Sequence, residues 1–222
     1  MDIILLAGLW LPRTIWDETV EELQALGHRP ITPALPGADD GDATATLEDQ
    51  VAAVLEAVDA ADGPVVVGHS AAATLAWIAA DRRPERVARV MLIGGFPAVH
   101  GAAYADFFPL EGGVMPFPGW GPFEGPDADD LDAAARQRIE QVVVPVPGQV
   151  AQGEVSLTDT RRFDVPVTEI CPEFSPDEMR GWMDAGDIPE LAQARQLDVV
   201  EIASGHWPMV TKPIELAELL GR

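Results

Sequence analysis

The apolar run Pro64-Val65-Val66-Val67 leads directly into Gly68-His69-Ser70-Ala71-Ala72, and an alanine-rich stretch follows over residues 73–80. This order reads as strand, sharp turn and helix, with a serine at the turn. A serine held there has a strained backbone and an exposed hydroxyl, and the turn closes only if the residues two before and two after it are tiny. Gly68 and Ala72 meet that demand. A serine that merely caps a helix is the plain alternative, so the rest of the chain has to supply partners for a nucleophile.

A chain of 222 residues buries one substantial core, and the expectation is a single domain over residues 1–222. Asp plus Glu number 37 against 14 Lys plus Arg, a formal charge of −23 that repels nucleic acid and anionic lipid surfaces. The carboxylates are spread along the chain, as on a solvated acidic surface. Cys171 is the only cysteine, which excludes an intramolecular disulfide, and nothing points to a cysteine-based metal site. No basic leader precedes Ile3-Ile4-Leu5-Leu6, and no apolar stretch is long enough to span a bilayer. A cytoplasmic protein with a small-molecule substrate, no metal, no cofactor and no nucleic-acid or membrane partner is expected; nothing indicates its oligomeric state.

Strand-like runs over residues 3–7, 29–35, 65–67, 87–93, 165–171 and 199–203 alternate with helical patterns over 14–26, 47–58, 73–80, 127–142 and 214–220. That alternation predicts an α/β fold, a mostly parallel sheet covered by helices on both faces. Residues 96–126 break the rhythm with six Pro, six Gly and seven of the fourteen aromatics. Their apolar character marks an insertion over residues 96–163 as a lid and not a linker. Trp10, His69, Phe96, Phe107, Phe108, Phe117, Trp120 and Trp207 are the candidate substrate contacts.

A serine hydroxyl attacks only when a base takes its proton. Of His28, His69, His100 and His206, the last is the candidate. It lies in Ser204-Gly205-His206-Trp207 just after the final strand, where a loop returns to the carboxyl edge of the sheet.

With these pieces in place, the chain resembles the α/β-hydrolases along nearly its whole length, and within them the small esterase and hydroxynitrile lyase-like branch. Leu6-Ala7-Gly8-Leu9, Ala34-Leu35-Pro36-Gly37, the Gly-His-Ser turn and Gly205-His206 carry the resemblance. It implies that Ser70 is the nucleophile and His206 the base, with the lid following the strand after the elbow. It places the oxyanion hole on the backbone N–H groups of Leu9 and Ala71. Ala7 stands where family members commonly carry histidine.

The third catalytic member departs from the pattern. The family's usual aspartate position falls on Ser175, and its second position on Gly94-Gly95. Glu173 lies two residues early in the same loop and is the expected orienting acid. Asp177, at an apparent helix start, Glu169 within the strand, Asp106 in the lid, and a dyad without a carboxylate are the alternatives. The implied activity is cofactor-free cleavage of a small apolar ester or lactone through an acyl-enzyme on Ser70. A lyase or acyl transferase on the same scaffold, or a non-catalytic binder of small molecules, stays open beside it.

Overall fold

Short runs of β-branched residues and leucine, each followed by a helix that returns the chain, force the strands to lie parallel. The computed structural model describes residues 1–222. Its strands are β1 (Asp2–Leu6), β2 (Arg29–Ile31), β3 (Val65–His69), β4 (Arg89–Ile93), β5 (Val167–Cys171) and β6 (Leu197–Glu201). They hydrogen-bond in the order β2-β1-β3-β4-β5-β6, and every neighbouring pair is parallel. Strand order reverses at β1, so the loops leaving β1 and β3 diverge and open a crevice at the carboxyl edge. Ser70 lies at one lip of that crevice and Gly8-Leu9 at the other.

Successive strand residues point to opposite faces, and the two faces feed separate cores. Ile4, Leu6, Val66, Leu92 and Cys171 pack with α2 (Leu47–Ala60), α3 (Ala72–Arg82) and Met179 of α5 (Pro176–Ala185). Ile3, Leu5, Val67, Ile93 and Ile170 pack with α1 (Asp17–Ala25), α4 (Ala133–Glu140) and α6 (Pro213–Leu220). Helix α3 is buried along its length from Ala72 to Asp81. Its many alanines let the helix axis approach the sheet closely, because a methyl side chain takes little room between backbones. No helix is long and apolar enough to cross a membrane.

Several boundaries differ from the sequence expectation, each for a local reason. Strand β2 ends at Ile31, not near residue 35; it is an edge strand with one neighbour, and Pro33 offers no N–H to extend a ladder. The first helical pattern splits into a 3-10 turn (Arg13–Trp16) and α1. The long pattern over 127–142 reduces to α4, because the Asp132 carboxylate accepts from Ala135 N at 2.7 Å and fixes the helix start there. Residues 94–166 form the whole crossover from β4 to β5. They include α4 and an antiparallel pair, Val114–Met115 with Val146–Pro147.

The far end of this crossover is held by a buried ionic knot. Arg162 reaches Glu190 at 3.0 Å and Asp81 at 3.2 Å, and the Trp77 indole N–H donates to the same Glu190 at 3.0 Å. Asp81 also accepts from the backbone N–H groups of Thr158 and Asp159. Two carboxylates therefore share one guanidinium away from water. Arg162→Met leaves both without the guanidinium they share and is expected to cost about 3–5 kcal/mol. Urea unfolding checks this: the midpoint falls, and an unchanged midpoint would contradict the assignment.

Candidate active site

Ser70 sits between β3 and α3 with φ +55°. A non-glycine residue pays for that left-handed conformation, and such strain persists only where surroundings over-determine it. The Ser70 N–H donates to Ile93 O at 2.8 Å, and Ala73 N donates to Ser70 O at 3.0 Å. Space is equally restrictive. A Cβ at Gly68 would run into the Ala72 carbonyl, one at Gly95 into the Ser70 carbonyl, and one at Gly8 would stand 3.0 Å from Ser70 Cβ. The glycines are thus what lets three loop backbones meet around the serine.

The expected oxyanion groups are both unoccupied donors. Neither Leu9 N–H nor Ala71 N–H has an acceptor in the protein, and Ala71 caps the positive end of α3. Trp10, directly after Leu9, is the other non-glycine residue with positive φ, at +64°. Its carbonyl accepts from Val144 N at 2.8 Å and its indole donates to Met115 O at 3.1 Å. The oxyanion loop is therefore tied at both points to the β4–β5 crossover.

His206 is pinned from several elements at once. Its backbone N–H donates to Asp127 O at 2.7 Å, and the preceding Gly205 N–H donates to Asp130 at 2.8 Å. Its carbonyl accepts from His69 Nε2 at 2.7 Å. Its ring nitrogen Nδ1 lies 2.7 Å from Glu173 Oε1. With Nδ1–H donated to the carboxylate, Nε2 carries the free lone pair. Ser70 and His206 line one cavity together with Leu9, Trp10, Leu11, Phe117, Phe123 and Trp207. Ser70 Oγ makes no side-chain hydrogen bond in this resting arrangement; such contacts tighten when substrate fills the site.

Burial sets the protonation of the groups around this pair. His69 is 1% exposed and its pKa is lowered to about 3, by burial first and by the neighbouring His206 second. It stays neutral, with Nε2–H as donor and a buried Nδ1 that has no partner. Burial, and then the charge of Glu173, raise Glu169 well above the usual carboxyl range. Glu169 is fully buried in β5 with neither side-chain oxygen satisfied by a side chain, and it is held as the neutral acid. Burial also raises Asp127.

The structure brings Glu173 to His206 and leaves the other candidate acids elsewhere. Asp177 is exposed at the start of α5 and pairs with Arg180 at 2.6 Å. Ser175 caps that helix, exchanging hydrogen bonds with Glu178. Asp106 accepts from Gln152 on the surface, and Glu169 faces the core. Gly94 explains the space for Glu173: its φ is +58°, and a Cβ there would stand 3.1 Å from Glu173 Oε2. His28 lies beside the N-terminus, 3.4 Å from the Met1 amine. His100 accepts from Leu157 N in the crossover.

The candidate substrate contacts divide. Trp10, Phe117 and Trp207 line the Ser70 cavity, as does Phe123, which had not been singled out. His69 borders it too, and its buried ring also donates from Nε2 to the His206 carbonyl. Phe108 and Trp120 form an outer layer, 5.6 Å from Trp10 and 5.4 Å from Trp207 between ring centroids. Phe96 packs instead on Phe174 and Trp182 at 5.5 and 5.8 Å. Phe107 is 65% exposed, because its neighbour Phe108 takes the inward position against Trp10. Asp127 and Asp130 were missed altogether, since a backbone carbonyl or a carboxylate that accepts from a backbone N–H far along the chain leaves no local pattern.

The model of the Alpha/beta hydrolase family matches residues 3–219. An extracellular alpha/beta-hydrolase from a Paenibacillus species superposes with a TM-score of 0.80 at 20% identity, covering 99% of this chain and 97% of that one. A methylesterase from Arabidopsis gives 0.76 at 15% identity with coverage of 99% and 97%. A pyrethroid hydrolase from Sphingobium faniae JZ-2 gives 0.69 at 21% identity with coverage of 99% and 95%. At these identities the likeness is one of fold. No curated protein matches the chain in sequence.

Glu169 gives a pH test of the buried site. Its folded pKa lies above the unfolded value of 4.5, so its contribution is intact below that pH and is lost as pH rises through the folded value. The Tm of the wild type is therefore expected to fall more between pH 5 and pH 9 than that of Glu169→Gln. Parallel Tm profiles would show that Glu169 does not titrate there.

Proposed function

The chain belongs to the alpha/beta hydrolase family, and on that premise we propose that it is a serine hydrolase of small, neutral, fairly apolar carboxylic esters or lactones. One observation carries the reading: a left-handed Ser70 opens into the same cavity as His206, whose Nδ1 is held 2.7 Å from Glu173. Esterase and hydrolase names among the structural neighbours support it. The cavity wall carries no Asp, Glu, Lys or Arg, which disfavours ionic substrates because a charge buried there would have no partner.

Ser70 Oγ attacks the ester carbonyl carbon as its proton passes to His206 Nε2. The carbonyl oxygen becomes an oxyanion, accepted by the Leu9 and Ala71 N–H groups at the positive end of α3. Glu173 stabilises the imidazolium formed in this step. Collapse breaks the bond to the alkoxy oxygen, which takes the proton from Nε2 and leaves as alcohol. Water then attacks the acyl carbon and gives its proton to His206. Collapse releases the carboxylic acid and returns the proton to Ser70.

An organophosphonate probe is expected to add once to the protein, as read by intact mass, and Ser70→Ala abolishes the adduct. Persistence of the adduct in that variant would sink the assignment. Glu173→Gln keeps a hydrogen bond to Nδ1 but removes the negative charge. Its kcat on p-nitrophenyl esters is expected to fall by about 10²–10⁴-fold with Tm nearly unchanged. A near-normal rate would favour a Ser70–His206 dyad.

A further inference from the structure

Glu169 takes no part in the steps above, yet it is fully buried in the middle of the sheet. Leu92 stands opposite it on β4 and Val199 on β6, and it does not line the Ser70 cavity. Neither of its oxygens has a hydrogen-bond partner of full geometry. A buried carboxyl left in this way costs free energy that an apolar side chain of the same size would not, and such a group calls for a reason. The backbone beyond β4 supplies one. Gly94 N–H donates to Ile170 O at 3.2 Å, but the next N–H, that of Gly95, has no backbone acceptor. Gly95 N–H is the donor that acts on the Glu169 carboxyl. An acceptor and a donor, each without another partner, therefore face each other.

The turn made by Gly94 and Gly95 touches every member of the proposed triad. A Cβ at Gly94 would stand 3.1 Å from Glu173 Oε2 and 3.2 Å from His206 Nδ1, and one at Gly95 would run into the Ser70 carbonyl. Two glycines in succession have no side chains with which to pack, so the turn needs a brace from outside itself. Resting on the hydrolase reading above, we propose that Glu169 is a positioning residue for that reaction: its carboxyl accepts from the Gly95 N–H and holds the Gly94–Gly95 turn against Ser70, Glu173 and His206. A turn that shifts moves the nucleophile's backbone on one side and the acid on the other, and a displacement of about 1 Å among reacting groups costs on the order of 10²-fold in rate. Because Glu169 is outside the cavity wall, the effect falls on kcat and not on KM.

The test measures kcat and KM for a p-nitrophenyl ester in wild type, Glu169→Met and Glu169→Gln, with kcat expressed per Ser70 titrated by the phosphonate probe. Methionine fills a similar volume without an oxygen acceptor, whereas glutamine keeps one. Glu169→Met is expected to lower kcat by roughly tenfold or more with KM within about twofold, and Glu169→Gln to restore kcat to within about threefold of wild type. A merely structural role lowers Tm and the titratable fraction but leaves kcat per titrated site unchanged, and that result overturns the proposal. Equal losses in the two variants overturn it as well, because the acceptor would then not be what matters. If Glu169→Met does not fold, Glu169→Asp, which withdraws the carboxyl from Gly95 by one methylene, is expected to show the same loss of kcat; an unchanged kcat overturns the assignment. Wild type labelled at Ser70, with kcat flat across the variants, loses the positioning role and keeps the hydrolase reading. Wild type that neither labels nor hydrolyses esters loses both.

Discussion

The crowding of backbones around Ser70 is the constraint on which the rest of the site depends. Three loops, from β1, β3 and β4, converge on one residue whose own φ is +55°. They can do so because Gly8, Gly68 and Gly95 have no side chain to place there. The serine is then fixed by the fold and not by its own preference, since its N–H is bound to Ile93 O across the sheet. A hydroxyl fixed in this way stands over the carboxyl edge, beside the free N–H of Ala71. The left-handed turn thus sets the position of the proposed nucleophile and of a proposed oxyanion donor together.

His206 is located differently, by hydrogen bonds from parts of the chain far apart in sequence. Asp127 and Asp130 hold the backbone before its ring, His69 holds the carbonyl after it, and Glu173 holds Nδ1. Because Asp127 and Asp130 lie in the β4–β5 crossover, the same segment that covers the site also positions His206, the proposed base. The other end of that segment is anchored to α3 through Arg162 and Asp81. Trp10 adds a third tie, from the crossover to the oxyanion loop. The covering layer and the reacting groups therefore form one connected network.

Burial keeps two titratable groups near the site neutral. His69 and Glu169 are buried and neutral, His69 with its pKa lowered to about 3 and Glu169 with its pKa raised. Glu173, in the loop beyond β5, keeps contact with His206 while one of its oxygens rests against Gly94. Two glutamates four residues apart consequently differ in contact, because one points into the core and the other reaches His206.

Much was legible in the sequence because its causes are local. Strand–turn–helix order around Ser70, the alternating pattern of six strands and the return of His206 after the last strand all follow from neighbouring residues, and the parallel sheet covered on both faces came with them. Glu173 could be named as a candidate, but its choice over Asp177 needed the Ser175–Glu178 capping box, which turns Asp177 outward, and the space beside Gly94. The division of the aromatics was likewise beyond a one-dimensional reading. Phe107 and Phe108 are adjacent and chemically identical, yet one faces solvent and the other Trp10. Local propensity determines which segments fold and where a strained turn must lie. Only tertiary packing, which brings residues such as Asp127 and Gly205 into contact across the chain, decides which side chains share a cavity and which are spent holding it together.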